Sequence, residues 1–532
     1  MDGRSAISHP GGMTPHLLSV TARQTEWPFV FWPFQTLLRS TLVQDRSSRT
    51  MKISKFALTA MIASACCAGT AFGQTNRTAP KYYPASYYSY YQDGTAAAAP
   101  IASSSDVKTS TGDCCDNNSA CDVADLCNGK NSCDSLASCG CGNGACDGGC
   151  DSGCGGGSGG LLGLGLLGGN CCIGEPWKLV PNGIAGINVG GWTSVGYHDR
   201  SNPNSFNNYD GRVQLGQQWL WAEKIADGSQ GIGFGGRVDY VYGTDAPDTQ
   251  AFGIPNNSWD NPWDNGILNA GYGHAMPQLY GEVAMGDLSV KLGHFFTIVG
   301  NEVVQATGNF FYSRQFTFYN AEPFTHTGAL TTYNLDEDTQ LYNGYVMGWD
   351  SGFEDNGDAY LGGFKRKIND TFTLLYTNCL GRFGDGNRGV AERGQIHNVI
   401  LTAALTEKLT YISQTDVLYT HNNTGATQRN TYGNINYLIY KVNDCVSFGQ
   451  RFEWFNYSGA GFQTGNPARV ARNDDNYNYT AGFNLRQNAN LTFRPEIRQV
   501  WDRTGTGQQG FGFNENNSRS QTSIGGDILF TF

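Results

Sequence analysis

The chain has 532 residues, of which 15% are charged and 13% aromatic, with 71 glycines and a formal net charge of −11. That acidic balance, with a pI near 5.2, speaks against nucleic acid or an anionic membrane surface as partner. A mean hydropathy of −0.38, with no apolar run long enough to span as a helix, excludes a helical membrane protein, whereas few charges with many aromatics and glycines suit lipid-facing strands.

Residues 1–50 show no periodicity and are expected to be disordered, the product of a start codon placed too early. Met51 opens a better beginning: Lys52 and Lys55 form a positive region, Phe56 to Ala68 an apolar one, and Ala71-Phe72-Gly73 a small-residue cleavage site, so 51–73 reads as a secretory signal peptide. A lipoprotein site at Cys66 ranks below it, and a short core helix over Phe56–Ala68 is the bland alternative. Residues 74–113, rich in Ala, Ser, Pro and Tyr, cannot bury a core and read as a low-complexity tether.

The segment 114–172 holds twelve of the sixteen cysteines. Cys115, Cys121, Cys127, Cys133 and Cys139 recur every six residues. No Cys-x-x-Cys pair and no His occur there, so disulfides, within or between chains, are favoured over a metal site, and no connectivity follows from spacing. Gly163-Leu164-Gly165-Leu166-Leu167-Gly168 matches a dinucleotide fingerprint only formally, because neither a strand nor a helix flanks it. No cofactor is expected.

From about residue 180 to Phe532 the pattern is a long series of alternating strands. Strands are expected near 184–198, 210–223 and 231–243, followed by a polar loop of about thirty residues. Later strands flank Gly286-Asp287, Ile368-Asn369-Asp370, Thr406-Glu407-Lys408, Asn443-Asp444 and Asn488-Ala489-Asn490, and these short turns alternate with longer polar loops near 380–394, 421–429, 457–475 and 503–520. Fifteen strands are clear, and keeping all short turns on one side requires one more between Phe310 and Asn334. The expected fold is all-β: a closed antiparallel transmembrane β-barrel of about sixteen strands over 180–532, with both ends of the barrel in the periplasm. Closure follows from solvent chemistry, since an open sheet edge in lipid leaves a row of unpaired backbone groups. No fixed repeat supports a propeller or solenoid.

Each strand sets apolar residues against polar ones. Val446, Phe448, Phe452 and Trp454 oppose Arg451 and Glu453; Leu491, Phe493 and Ile497 oppose Arg494, Glu496 and Arg498; Arg237 and Asp239 repeat the theme. An Arg or Lys facing mid-bilayer costs about 2–4 kcal/mol, so these seven charges are expected to line an aqueous pore or to neutralise one another in a plugged lumen.

Three stretches are the most distinctive: Gly293-His294-Phe295-Phe296-Thr297-Ile298-Val299-Gly300-Asn301-Glu302-Val303-Val304, Phe310-Phe311-Tyr312-Ser313-Arg314, and Glu322-Pro323-Phe324-Thr325-His326-Thr327-Gly328. Through them the sequence resembles the outer-membrane β-barrel porin family of the OmpL-like type over roughly residues 180–532. The resemblance implies a general porin, a water-filled channel for passive diffusion of small hydrophilic solutes. By analogy with porins, the segment after the fifth strand folds inward, with Arg314, Glu322 and His326 as candidates for a constriction or, equally, for ordering an external loop. The final Phe532 is similar to the signal read by the barrel assembly machinery. Outer-membrane lipid is the expected surround, and trimers are common among general porins.

Two other readings stay open: a structural envelope protein cross-linked through its Cys-rich segment, and an outer-membrane hydrolase. The second is disfavoured, because His198, His274, His294, His326, His397 and His421 sit in no nucleophile elbow, HExxH or acidic motif of diagnostic spacing.

Overall fold

The computed structural model of the chain describes residues 173–200, 206, 209–251, 259–260, 271–353, 357–385, 391–459, 471–502 and 520–532. The expected leader, tether and Cys-rich segment, with Cys115, Cys121, Cys127, Cys133 and Cys139, lie outside the described residues.

Sixteen strands form one closed sheet. They are β1 (Asn188–His198), β2 (Gln214–Lys224), β3 (Ile232–Gly243), β4 (Gly273–Met285), β5 (Leu288–Phe296), β6 (Thr325–Asn334), β7 (Thr339–Val346) and β8 (Asp358–Lys367). The second half comprises β9 (Phe372–Asp385), β10 (Ala391–Ala404), β11 (Leu409–His421), β12 (Thr427–Lys441), β13 (Val446–Gly459), β14 (Ala471–Arg486), β15 (Leu491–Asp502) and β16 (Ser520–Thr531). Each strand pairs antiparallel with its neighbour in sequence, and β16 returns to β1, with Trp192 opposite Thr531 and His198 opposite Gly525. Gly191 N donates to Phe532 O at 2.9 Å and Phe532 N to Gly191 O at 3.0 Å, so the seam is hydrogen-bonded to the last residue.

Local chemistry explains the short turns. The Asn443 side chain accepts hydrogen bonds from Cys445 N and Val446 N, Asn488 from Asn490 N and Leu491 N, and Asn369 from Thr371 N and Phe372 N. An Asn oxygen that bonds the backbone two or three residues on fixes the reversal. The required sixteenth strand is β6, inside the span 310–334 where parity asks for it.

Three boundaries differ from the sequence pattern. The first strand starts at Asn188 rather than near 184, because Ile184 and Ile187 bridge each other and Gly183 and Gly186 take φ of +65° and +79°. β9 and β10 run into the expected 380–394 loop, where Arg382 and Asp358 pair at 2.7 Å across β8 and β9. Two short helices, α1 (Ala246–Thr249) and α2 (Phe316–Ala321), occur where no helix was expected, both between strands.

The two faces separate cleanly. Leu220, Phe234, Leu279, Leu292, Tyr360, Val417, Leu438, Phe452, Phe493, Ile497, Ile524 and Ile528 are exposed on the outside. Exposed arginines occur at strand ends, where Arg366 pairs with Asp336 and Arg382 with Asp358. Leu529, the single large apolar residue of its parity in β16, turns inward and is buried.

Candidate functional site

The segment 297–324, between β5 and β6, runs through the inside of the barrel. Asn309 folds its first half: its Nδ2 donates to Val303 O and Gln305 O at 2.7 Å each, and its Oδ1 accepts from Val303 N at 2.9 Å. A 3-10 turn follows at Ala306–Gly308, and α2 ends the segment. Its aromatic residues provide the drive inward, since each large ring removes about 150–250 Å² from water. Phe310, Phe311 and Phe316 join one apolar cluster with Leu361, Ile396, Leu418, Ile435 and Phe455 of the wall, while Phe318 and Phe324 join Trp192, Trp219 and Val241 in another.

The wall is shaped to receive this insert. A Cβ at Gly449 would overlap the Phe310 ring, one at Gly196 the Tyr312 ring, and one at Gly433 the Thr317 side chain. Glycine at these three inward positions lets backbone and ring approach each other.

All seven of the charges expected to face inward make specific contacts. On β15, Glu496 accepts from Tyr312 N at 2.9 Å and Ser313 N at 3.2 Å. Arg494 grips Asp527 of β16 through two bonds of 2.7 and 2.6 Å and donates a third nitrogen to Ala306 O and Asn309 O, both at 2.7 Å. On β13, Glu453 accepts from Phe316 N at 3.0 Å, Thr317 N at 2.7 Å and Thr317 Oγ1 at 2.8 Å, which caps the start of α2. Arg451 pairs with Glu302 and donates to Ser313 O at 2.9 Å. Arg237 and Asp239 stay on the wall of β3, paired at 2.6 Å, with Trp219 and Gln278 donating to Asp239. Arg498, the seventh, donates to Asn478 at 3.1 Å and lies over the Phe316 ring at 5.0 Å. None of the seven is more than 8% exposed, so their charge is spent on holding neighbours rather than on open water.

Arg314, Glu322 and His326 are not brought together into one cluster. Arg314 donates to Tyr312 O and Val304 O within the insert. Glu322 accepts from Gln414 of β11 and rests on Gly300, whose φ is +95° and where a Cβ would overlap the carboxylate. Burial first, then the nearby Asp416 carboxylate, pushes the Glu322 carboxyl well above its usual range. His326 is a wall residue of β6, its ring held between Gly348 O at 2.8 Å and Thr297 Oγ1 at 3.1 Å. All three are buried.

Sequence reasoning missed the residue at the hub of the insert, Glu302. It accepts from Gln315 N at 2.7 Å and Tyr437 OH at 2.8 Å besides pairing with Arg451. The only signal for it was its place in the distinctive 293–304 stretch. It also missed Gln217 on β2, which bonds Val304 O, Ala306 N and Asp245. The insert is thus bonded to β2, β11, β12, β13 and β15, so it spans the interior from wall to wall. Several inner-face groups keep partial exposure: Glu282 of β4 and Lys291 of β5 stand opposite each other, Lys291 over the Tyr280 ring at 4.8 Å, Glu223 of β2 lies beside Arg237, and Glu392 of β10 pairs with Arg429 of β12 at 2.8 Å. Among the described residues no cluster of His, Cys, Asp and Glu is arranged to hold a metal ion.

A family model described as "Putative beta-barrel porin-2, OmpL-like" matches residues 186–532. Among solved structures the chain is similar to the anion-selective porin from Comamonas acidovorans, at 10% identity and a TM-score of 0.47, covering 65% of this chain and 99% of that one. It is also similar to the outer-membrane expressed OmpT of Vibrio cholerae, at 10% identity and 0.43, covering 65% and 97%, and to a mutant porin of Rh. blastica, at 13% and 0.41, covering 65% and 100%. No curated protein matches the sequence.

Proposed function

The chain belongs to the OmpL-like β-barrel porin-2 family of outer-membrane channels, and from that premise we propose that small hydrophilic solutes cross by passive diffusion between the insert 297–324 and the barrel wall. The observation that carries this reading is the insert itself, a segment bonded to both sides of a closed sixteen-strand barrel. Its position makes it the narrowest obstacle in the passage. Glu302, Glu453, Glu496, Arg451 and Arg494 act as its anchors. Arg237, Asp239 and Arg498 stiffen the wall, and Arg314, Glu322 and His326 fix the ends and bend of the insert. Glu282, Lys291, Glu223, Glu392 and Arg429, partly exposed on the inner face and of both signs, are the charged groups available to passing solute.

The short turns, and with them Asn188 and Phe532, face the periplasm in this reading, and the outer belt of Leu, Ile, Val and Phe meets lipid. Phe532, hydrogen-bonded into the β1 seam, is the residue offered to the assembly machinery. No reaction chemistry is assigned to the chain.

Planar-bilayer recording of the full chain tests the proposal. Discrete conducting steps that enlarge when residues 298–322 are replaced by a short Gly/Ser linker are expected. A folded barrel with no ion-conducting steps in either form would sink it.

A further inference from the structure

Mid-strand side chains on the outer face differ between the two halves of the barrel. From β14 round through β1 to β5 they include Ile497, Ile528, Leu220, Val238, Leu279 and Leu292, all exposed. Where a polar pair occurs there, its members bond each other, Thr193 Oγ1 donating to Gln218 Oε1 at 2.8 Å. From β7 to β13 the same depth is largely polar. Asn343, Asn378, His397, Ser413, Asn436 and Gln450 share the outward parity of the exposed Leu341, Phe372, Val399, Val417, Leu438 and Phe452.

Each of the six polar residues lies four to seven positions from the short-turn end of its strand. At a rise of about 3.4 Å per residue and a tilt of about 40°, that is roughly 10–18 Å above the rim, the middle of a lipid-facing band about 25 Å tall. Aromatic residues bracket that depth, Tyr411, Tyr440 and Phe448 towards the rim and Tyr360, Tyr419 and Tyr432 beyond it. The inner side of the same wall is apolar: Leu361, Leu375, Ile400, Ile412 and Ile439 are buried in the cluster that holds Phe310 and Phe311 of the insert. Polarity in this half of the barrel is reversed, greasy within and polar without.

The polar side chains bond one another sideways and still leave capacity pointing outward. Tyr411 OH donates to Asn436 Oδ1 at 2.6 Å, Asn436 Nδ2 to Asn434 Oδ1 at 2.8 Å, and Asn434 Nδ2 to Thr415 Oγ1 at 3.1 Å. Tyr479 OH donates to Gln450 Oε1 at 2.8 Å, and Tyr376 OH meets His397 Nδ1 at 2.8 Å. Among the described residues the Asn343 side chain, the Ser413 hydroxyl, Gln450 Nε2 and His397 Nε2 have no partner, and the buried Asn378 Oδ1 has none either. Lipid tails supply no hydrogen bond to such groups.

We propose that the β7–β13 face meets a second copy of this chain within the membrane, amide and hydroxyl against amide and hydroxyl. Asn, Gln, Ser and Thr each donate and accept, so the face is its own complement. No Asp, Glu, Lys or Arg lies among these residues to select a partner of opposite charge. A second copy inserted in the same sense brings its own polar row to the same height. Seven strands about 4.8 Å apart span an arc of about 29 Å, which over a height of about 25 Å makes roughly 700 Å² per copy, against about 800 Å² per partner in a stable interface. Self-association through this face goes beyond conduction and needs only that the barrel lie in a bilayer.

The test uses the full chain in two differently tagged forms, co-expressed and recovered in outer-membrane vesicles, with the photocrosslinker p-benzoylphenylalanine at Asn343, at Ser413 or, for contrast, at Ile528. Irradiation is expected to give a band of twice the chain mass bearing both tags from Asn343 and Ser413, and none from Ile528. No protein-linked band from Asn343 or Ser413 means that the face meets lipid. Bands that never carry both tags mean that it meets a different protein, and an equal yield from Ile528 means that contact is not confined to this face; each of the three overturns the proposal. The triple variant Asn434→Leu, Asn436→Leu, Gln450→Leu, checked for the heat-modifiable band of a folded barrel, is expected to lower the dimer-to-monomer ratio in mild detergent about tenfold or more, and an unchanged ratio overturns the proposal as well. Channel conductance does not enter these readouts, so a failure here leaves the porin reading standing.

Discussion

Replacing Glu453 with Ala removes the cap of α2 while leaving the strand ladder of β13 in place. The carboxylate accepts three hydrogen bonds from the insert, those of Phe316 N, Thr317 N and Thr317 Oγ1, and a fourth of 3.2 Å from Asn478. Hydrogen bonds to a charged group contribute about 1.5–3 kcal/mol each, so the three to the insert amount to roughly 5–9 kcal/mol. Water that enters the space vacated by the carboxylate satisfies part of the loss, which leaves about 3–5 kcal/mol. At about 1.4 kcal/mol per tenfold, the lower figure already shifts the docked-to-undocked ratio of α2 by about a hundredfold. The barrel, sealed by its own backbone bonds, still shows the gel shift of a folded outer-membrane protein on boiling. Single-channel recording of Glu453→Ala is expected to give larger mean conductance and added open-state noise, and Glu453→Gln, which keeps one acceptor, an intermediate value. A folded Glu453→Ala barrel with the conductance and noise of the natural sequence would refute the reasoning, because the insert would then be held by its apolar contacts alone.

Three further outcomes follow from the geometry. Arg494→Leu strands the buried Asp527 carboxylate and is expected to destabilise by about 3–5 kcal/mol, whereas the double change with Asp527→Asn recovers most of it; urea unfolding of both in detergent decides, and equal losses would contradict the pairing argument. Gly449→Ala drives a methyl into the Phe310 ring and is expected to raise conductance, while Gly281→Ala, which meets nothing within 4 Å, leaves it unchanged; the same effect from both changes would contradict the close-approach argument. Burial pushes the Asp245 carboxyl, at the start of α1, up to about 7 against the pull of Arg314. A raised carboxyl holds its proton in the folded state, so its favourable share of stability is full below about pH 4 and is lost as pH rises to about 7. Asp245→Asn is expected to flatten the stability profile over that window, and an unchanged slope would contradict it.

Much of the barrel was legible along the chain. Side chains alternate faces with a period of two, so lipid on one side and protein or water on the other leave their mark residue by residue, as in Phe452 against Arg451 or Ile528 against Asp527. Turns were legible because Asn369, Asn443 and Asn488 act on backbone two or three positions away. Strand parity even located β6, since an antiparallel barrel with its short turns on one side has no room for an odd count. The site was less legible. That Arg494 and Glu496 face inward could be read from their neighbours, but that they grip Ala306, Asn309, Tyr312 and Ser313 could not. Those partners lie more than 180 positions away and meet only because the sheet closes. Glu302 and the three glycines under the insert carry no local signature, because their roles are set by what arrives opposite them. The same holds for the rim, where Ile173 and Trp177 meet the turn at Ala489 and Asn490 more than 300 positions away. Alternation and turn chemistry are short-range forces and are written in the sequence; the docking of the insert and the meeting of distant turns depend on closure, which only the tertiary structure decides.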